Sequence, residues 1–136
     1  MDRLTIGKVA KQANVCVETL RYYERRGLVT LPPRNGSNYR LYPQETVRRV
    51  QFIKRAQQLG FSLKEIAEIL ELRATPQTLC ADIRTRTVAK IDTMEEKIRA
   101  LQVMKRALRQ LVAECPGQGE TTACPILASL DAEGDL

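Results

Sequence analysis

The chain has 136 residues, which suits one modest domain with an appendage and is too short for two full-sized cores. Hydrophobic residues make up 43% but aromatics only 4%, with no Trp, which excludes disorder over the whole chain and makes any core aliphatic. Histidine is absent, so the commonest general base and the commonest zinc ligand are both missing. No apolar run approaches the ~20 residues of a spanning helix, and Met1-Asp2-Arg3 leads into an amphipathic segment without a signal-peptide core. The expected location is therefore the cytoplasm, with no membrane partner.

Charge is unevenly placed. Residues 1–60 hold 12 Lys/Arg against 4 Asp/Glu, residues 61–112 hold 10 against 7, and residues 113–136 hold none against 5. A basic excess at the front is the electrostatic footprint of a polyanion partner, although a membrane surface or an acidic protein attracts it as well.

Thr5 opens a first short helix with Ile6, Val9 and Ala10 on one face, broken at Ala13-Asn14. A second, Val17 to Arg26, stops at Gly27, and two short helices about a tight turn predict a helix-turn-helix. Pro32-Pro33 blocks helix, Asn35-Gly36 is a strong turn pair, and Asn38 to Tyr42 alternates like a strand, so a small β-hairpin, or wing, is expected. Pro43 introduces a helix from about Gln44 to Leu59, striped by Val47, Val50, Phe52, Ile53 and Ala56 and stopped by Gly60. Ser62-Leu63-Lys64-Glu65 is a capping box opening a further helix through Leu72.

After Pro76 some 35 residues run without Gly or Pro up to Cys115-Pro116-Gly117. Ile91, Ile98 and Val112 at one heptad position, with Met94, Leu101 and Leu108 at the other, form a seam interrupted by Lys105, which predicts a paired helix. The alternative is a helix packed on its own domain, but little chain remains to cover it.

Thr19, Arg21, Tyr22 and Tyr23 on the second helix, with Arg34, Tyr39, Arg40 and Tyr42 in the wing, supply hydroxyls, guanidinium forks and aromatic planes suited to double-stranded DNA. Arg pairs bidentately with guanine, while Tyr hydroxyls and further Arg groups fix register on phosphates. The competing reading is a core tyrosine among solvated arginines; neighbours on a helix point about 100° apart, so one of Tyr22 and Tyr23 is expected to face the core.

The runs Leu4 to Ala10, Val17 to Leu28, Tyr39 to Tyr42 and Leu59 to Ile66 resemble the MerR family of bacterial transcription regulators over nearly the whole chain. The resemblance implies a winged helix-turn-helix domain, a long dimerisation helix and a C-terminal effector site. It further implies a homodimer that holds a promoter with an overlong spacer and, once the effector binds, underwinds and bends it for RNA polymerase.

Cys80 and Cys115 are five heptads apart and so share one seam. Within one chain 35 helical residues separate them by roughly 52 Å, so one chain cannot close a site with both. Antiparallel pairing brings Cys80 of one chain to Cys115 of the other, and the loop Pro116 to Ala123 lets Cys124 fold back to the same point. Three thiolates without a fourth ligand disfavour a closed zinc site and suit a thiophilic ion, Hg(II) best. The plain alternative is that all three are seam or buried side chains. Cys16, in the turn of the first domain, is expected to be inert packing.

Cys115-Pro116 and Cys124-Pro125-Ile126-Leu127-Ala128-Ser129-Leu130 are similar to the mercury-sensing branch of the family, in which the matching three cysteines ligate the metal. Relatives for monovalent ions generally lack a match to Cys80, whereas lead and cadmium sensors keep three similar cysteines, so other thiophilic divalent ions compete. A thiol redox regulator joining Cys115 to Cys124 is a second class. An enzyme is a third, but no base stands beside any cysteine and there is no C-x-x-C pair. The resulting expectation is a mainly α, non-enzymatic protein in three parts. Residues 1–75 form the winged helix-turn-helix domain, 76–114 an antiparallel coiled-coil dimerisation helix, and 115–136 the metal-binding loop and C-terminal segment.

Overall fold

The computed structural model describes residues 3–132 and divides into two compact units, one ending at Ile83 and the other beginning at Arg84. The first unit therefore includes the opening turn of the long helix.

Helix α1 (Ile6–Ala13) starts where the Thr5 hydroxyl accepts the Lys8 amide at 3.4 Å, and it ends at Asn14 in the left-handed region, a conformation that Asn tolerates. Helix α2 (Val17–Arg25) follows at once and gives way to Gly27, whose φ of 75° an ordinary side chain would strain. Helices α3 (Glu45–Gln58) and α4 (Leu63–Ala74) form a hairpin, and the Ser62–Glu65 capping box satisfies two orphan amides at the start of α4. The apolar stripes converge: α1 packs on α2 and α3, and α3 on α4. Val9, Leu20, Val50, Ile53 and Ile66 are wholly removed from solvent, each such side chain contributing roughly 1.5–3 kcal/mol of burial free energy.

The expected β-hairpin is reduced to a single bridge between Arg34 and Arg40, with no strand among the described residues. The Asn35 side chain braces its tip: Asn35 Oδ1 accepts the amides of Ser37 at 2.9 Å and Tyr39 at 3.0 Å. Two causes limit the ladder. Pro32 and Pro33 have no amide to donate, and the Tyr42 backbone is already paired with Leu4 in both directions, at 2.8 and 2.7 Å. The wing is thus a tight loop sewn to the N-terminus.

Helix α5 (Cys80–Glu114) runs unbroken, and none of its residues is buried. The heptad residues Ile91, Ile98, Leu101, Leu108 and Val112 are 48–64% exposed, which overturns the alternative of a helix covered by its own chain. A 3₁₀ turn (Thr121–Ala123) leads into the short helix α6 (Pro125–Asp131), where Pro125 occupies a first-turn position that needs no amide hydrogen. Among the described residues no helix is long and apolar enough to cross a membrane.

Candidate nucleic-acid interface and metal centre

The α1–α2 turn sets α2 against the wing, and an open cleft of about 520 Å³ lies between them. Arg21, Arg25, Arg34, Tyr39 and Arg40 line it. Arg21, Arg34 and Tyr39 are exposed, while Arg40 is half-buried and donates through Nη1 to the Pro32 carbonyl, bracing the wing as well as charging the cleft. The Arg34 guanidinium donates to the Asn38 carbonyl at 3.1 Å across the same loop.

Tyr22 is exposed at the end of α2, with the Arg25 and Arg26 guanidiniums 5.7 and 5.8 Å from its ring centre and its hydroxyl accepting from Arg26 at 3.0 Å. Thr19 is half-buried, its hydroxyl 3.0 Å from the Cys16 sulfur.

Two expected contact residues are corrected. Tyr23 and Tyr42 are core residues, 2% and 1% exposed, and their hydroxyls are already engaged: Tyr23 donates to Gln57 Oε1 and Tyr42 donates to Glu24 Oε2 at 2.9 Å. Burial raises the pKa of both, that of Tyr42 to about 12 with help from the neighbouring Glu24 carboxylate, so both remain protonated donors near neutral pH. They hold the helix and the wing rather than presenting hydroxyls to a ligand. Arg25 was not among the expected DNA contacts although its signal was present, because it stands four residues after Arg21 and so shares its face of α2.

Cys16 also departs from expectation. It is exposed, not packed, and occupies the N-cap of α2. Its pKa is lowered by the Thr19 hydroxyl and then the Thr19 amide, against a smaller opposing desolvation, while the Glu18 amide and the Glu18 charge act weakly in opposite directions.

The other three thiols occupy two places. Cys80 is exposed at the start of α5, on the rim of a largely apolar pocket of about 470 Å³ lined by Phe52, Leu72, Pro76, Leu79 and Ile83. Cys115 and Cys124 are half-buried at the two ends of the loop after α5, near enough for the Cys115 thiol to contribute to the pKa of Cys124. The Cys115 amide still bonds back to the Leu111 and Val112 carbonyls, which fixes the loop's departure point. Cys124 occupies the N-cap position of α6 without a side-chain capping hydrogen bond, and its pKa is lowered, first by the Leu127 amide, against a desolvation that outranks the smaller lowering effects of the Ile126 amide and the Cys115 thiol. A lowered pKa favours thiolate, the form in which cysteine ligates soft metals. No three Cys, Asp or Glu side chains form a metal-sized cluster within one chain among the described residues.

A basic cleft between a two-helix turn and a wing, with thiols at a helix start and in a C-terminal loop, defines a DNA-binding protein of the helix-turn-helix class that carries a soft-ligand set. The family model described as "MerR HTH family regulatory protein" matches residues 4–72, and a second, "MerR, DNA binding", matches 47–111. The chain belongs to the MerR family of transcription regulators, which are not enzymes. It is 40% identical over 128 residues, 94% of this chain and 97% of the relative, to a "Mercuric resistance operon regulatory protein" of Bacillus cereus. Among solved structures it is similar to the regulator PbrR691 of Ralstonia metallidurans CH34 in complex with lead(II), at TM-score 0.84 and 33% identity, covering 93% of this chain and 98% of that one. It is also similar to MerR of Bacillus megaterium MB1 in complex with mercury(II), at TM-score 0.71 and 37% identity, covering 95% and 100%.

Proposed function

We propose that the protein is a cytoplasmic, homodimeric, metal-responsive regulator that binds promoter DNA and activates a mercury resistance operon when Hg(II) occupies a site made by Cys80 of one protomer with Cys115 and Cys124 of the other. The thiol arrangement carries the reading. Cys115 and Cys124 flank one short loop and lie near enough for one thiol to act on the other's pKa, while Cys80 stands at the opposite end of an unbroken helix, and a helix of that length holds its ends roughly 52 Å apart. A third thiolate for the Cys115–Cys124 pair therefore comes from a second chain paired antiparallel along the exposed heptad seam. Sulfur-only ligation without histidine suits a soft ion, and the relative from Bacillus cereus is named for mercuric resistance.

On promoter DNA, Arg21, Arg34 and Tyr39 contact the duplex directly, aided by Thr19, Tyr22 and Arg40, and two such faces in a dimer address two half-sites. Metal binding at the seam changes how the two domains are held, and the DNA is underwound and bent for RNA polymerase. A lead-responsive regulator is the second reading, favoured by the similarity to the lead-bound PbrR691 structure; cadmium is a further divalent candidate. The nearness of Cys115 and Cys124 leaves a disulfide between them as the redox alternative.

The test mixes Cys80→Ala chains with Cys115→Ala, Cys124→Ala chains. The purified heterodimer should bind one Hg(II) under excess small thiol, whereas each homodimer binds none, and Pb(II) and Cd(II) should be competed away first. A heterodimer without tightly held mercury, beside an unmodified dimer that binds it, overturns the shared site. Oxidation of Cys115 and Cys124 that alone triggers DNA distortion, without metal, would select the redox reading.

A further inference from the structure

The cleft that carries Arg21, Arg25, Arg34 and Arg40 also contains a carboxylate, Glu24 of α2. In a groove built for phosphates this group is costly twice over: it repels the polyanion, and it can capture a guanidinium that the polyanion needs. Arg21 lies three residues before it on the same helix, the spacing at which opposite charges pair. Yet the Glu24 carboxylate accepts the Tyr42 hydroxyl at 2.9 Å. Tyr42 itself is anchored, with its ring in the core and its backbone bonded to Leu4 in both directions.

We infer that Tyr42 and Glu24 form a positioning pair: the Tyr42 hydroxyl keeps the Glu24 carboxylate from pairing with Arg21 and leaves that guanidinium available to a DNA phosphate. The pair also ties the base of the wing to the recognition helix. The inference rests on the DNA-binding reading of the cleft. It explains why a core tyrosine keeps a hydroxyl where phenylalanine would fill the same space.

The test uses the full chain and random-sequence duplex DNA long enough for two half-sites, with affinity measured across salt concentrations. Tyr42→Phe keeps the ring and frees Glu24. Its affinity should fall several-fold at low salt, and the slope of log affinity against log salt should shrink by about 0.9, the loss of one phosphate contact. Glu24→Asp, which shortens the acid out of reach of Tyr42 without touching the core, should do the same. Adding Glu24→Gln to Tyr42→Phe removes the competing charge and should restore both affinity and slope. A double variant as weak as Tyr42→Phe would make the bond a simple brace and overturn the inference, as would Tyr42→Phe and Glu24→Asp binding like the unmodified chain. An unmodified chain without salt-dependent duplex binding would remove the DNA-binding reading and the inference with it.

Discussion

Cys115 and Cys124 stand near each other at the two ends of the loop that begins at Pro116, close enough for one thiol to act on the pKa of the other, so two of the four thiols in the chain are neighbours within one protomer. Gly117 and Gly119, both at positive φ, give that loop its reversal.

The lowered pKa of Cys124, caused first by the Leu127 amide, favours its thiolate. In the reduced protein with Cys16 and Cys80 replaced by Ala, alkylation of Cys124 by iodoacetamide should reach half-maximal rate at a lower pH than in an unfolded cysteine peptide. Cys115→Ala should move this midpoint up only slightly, since the Leu127 amide is the larger cause. Protons compete with metal for thiolates, so the lowered pKa should also extend metal occupancy to lower pH. A midpoint at or above that of the peptide would contradict the thiolate assignment.

The exposed α5 seam predicts what one charge would do. Leu101 is 62% exposed in the single chain, so Leu101→Asp should leave the monomer folded while burying an unpaired carboxylate in any dimer. Sedimentation should find monomers, and affinity for a two-half-site duplex should collapse because the half-sites no longer bind as one unit. A stable dimer would remove Leu101 from the seam.

Along the cleft the arginines should separate by exposure. Arg21→Ala and Arg34→Ala should each lower the salt slope of DNA binding by about 0.9 if each neutralises one phosphate. Arg40→Ala should also loosen the wing, because it removes a donor to the Pro32 carbonyl, and this should appear as faster amide exchange at residues 35–39. Slopes unchanged in both Arg21→Ala and Arg34→Ala would move the interface elsewhere.

Leu20 anchors α2 from the inside and is fully buried. Leu20→Ala should cost about 2–5 kcal/mol, read as a lower midpoint in urea at unchanged slope. A loss under about 1 kcal/mol would mean the site collapses around the cavity.

Much of this molecule is local, and local features are legible in a sequence. Thr5, Gly27, the Ser62–Glu65 box and Pro125 mark helix ends because capping is decided within a turn of chain. The heptads and the five-heptad cysteine spacing announced the long helix and its unpaired face for the same reason, since periodicity alone sets which residues share a side. What tertiary structure decided was the fate of groups whose neighbours come from distant parts of the chain. Tyr42 looked like a contact residue because an alternating Tyr-Arg-Leu-Tyr does not reveal which tyrosine meets α2; pairing with Leu4 turned it inward onto Glu24. The same long-range pairing, with two prolines, cut the expected hairpin to one bridge. Cys16 was left in solvent because the core closed without it. A sequence carries its own propensities and periods, but burial is a property of what else arrives at the same place, and that is settled only when the whole chain has packed.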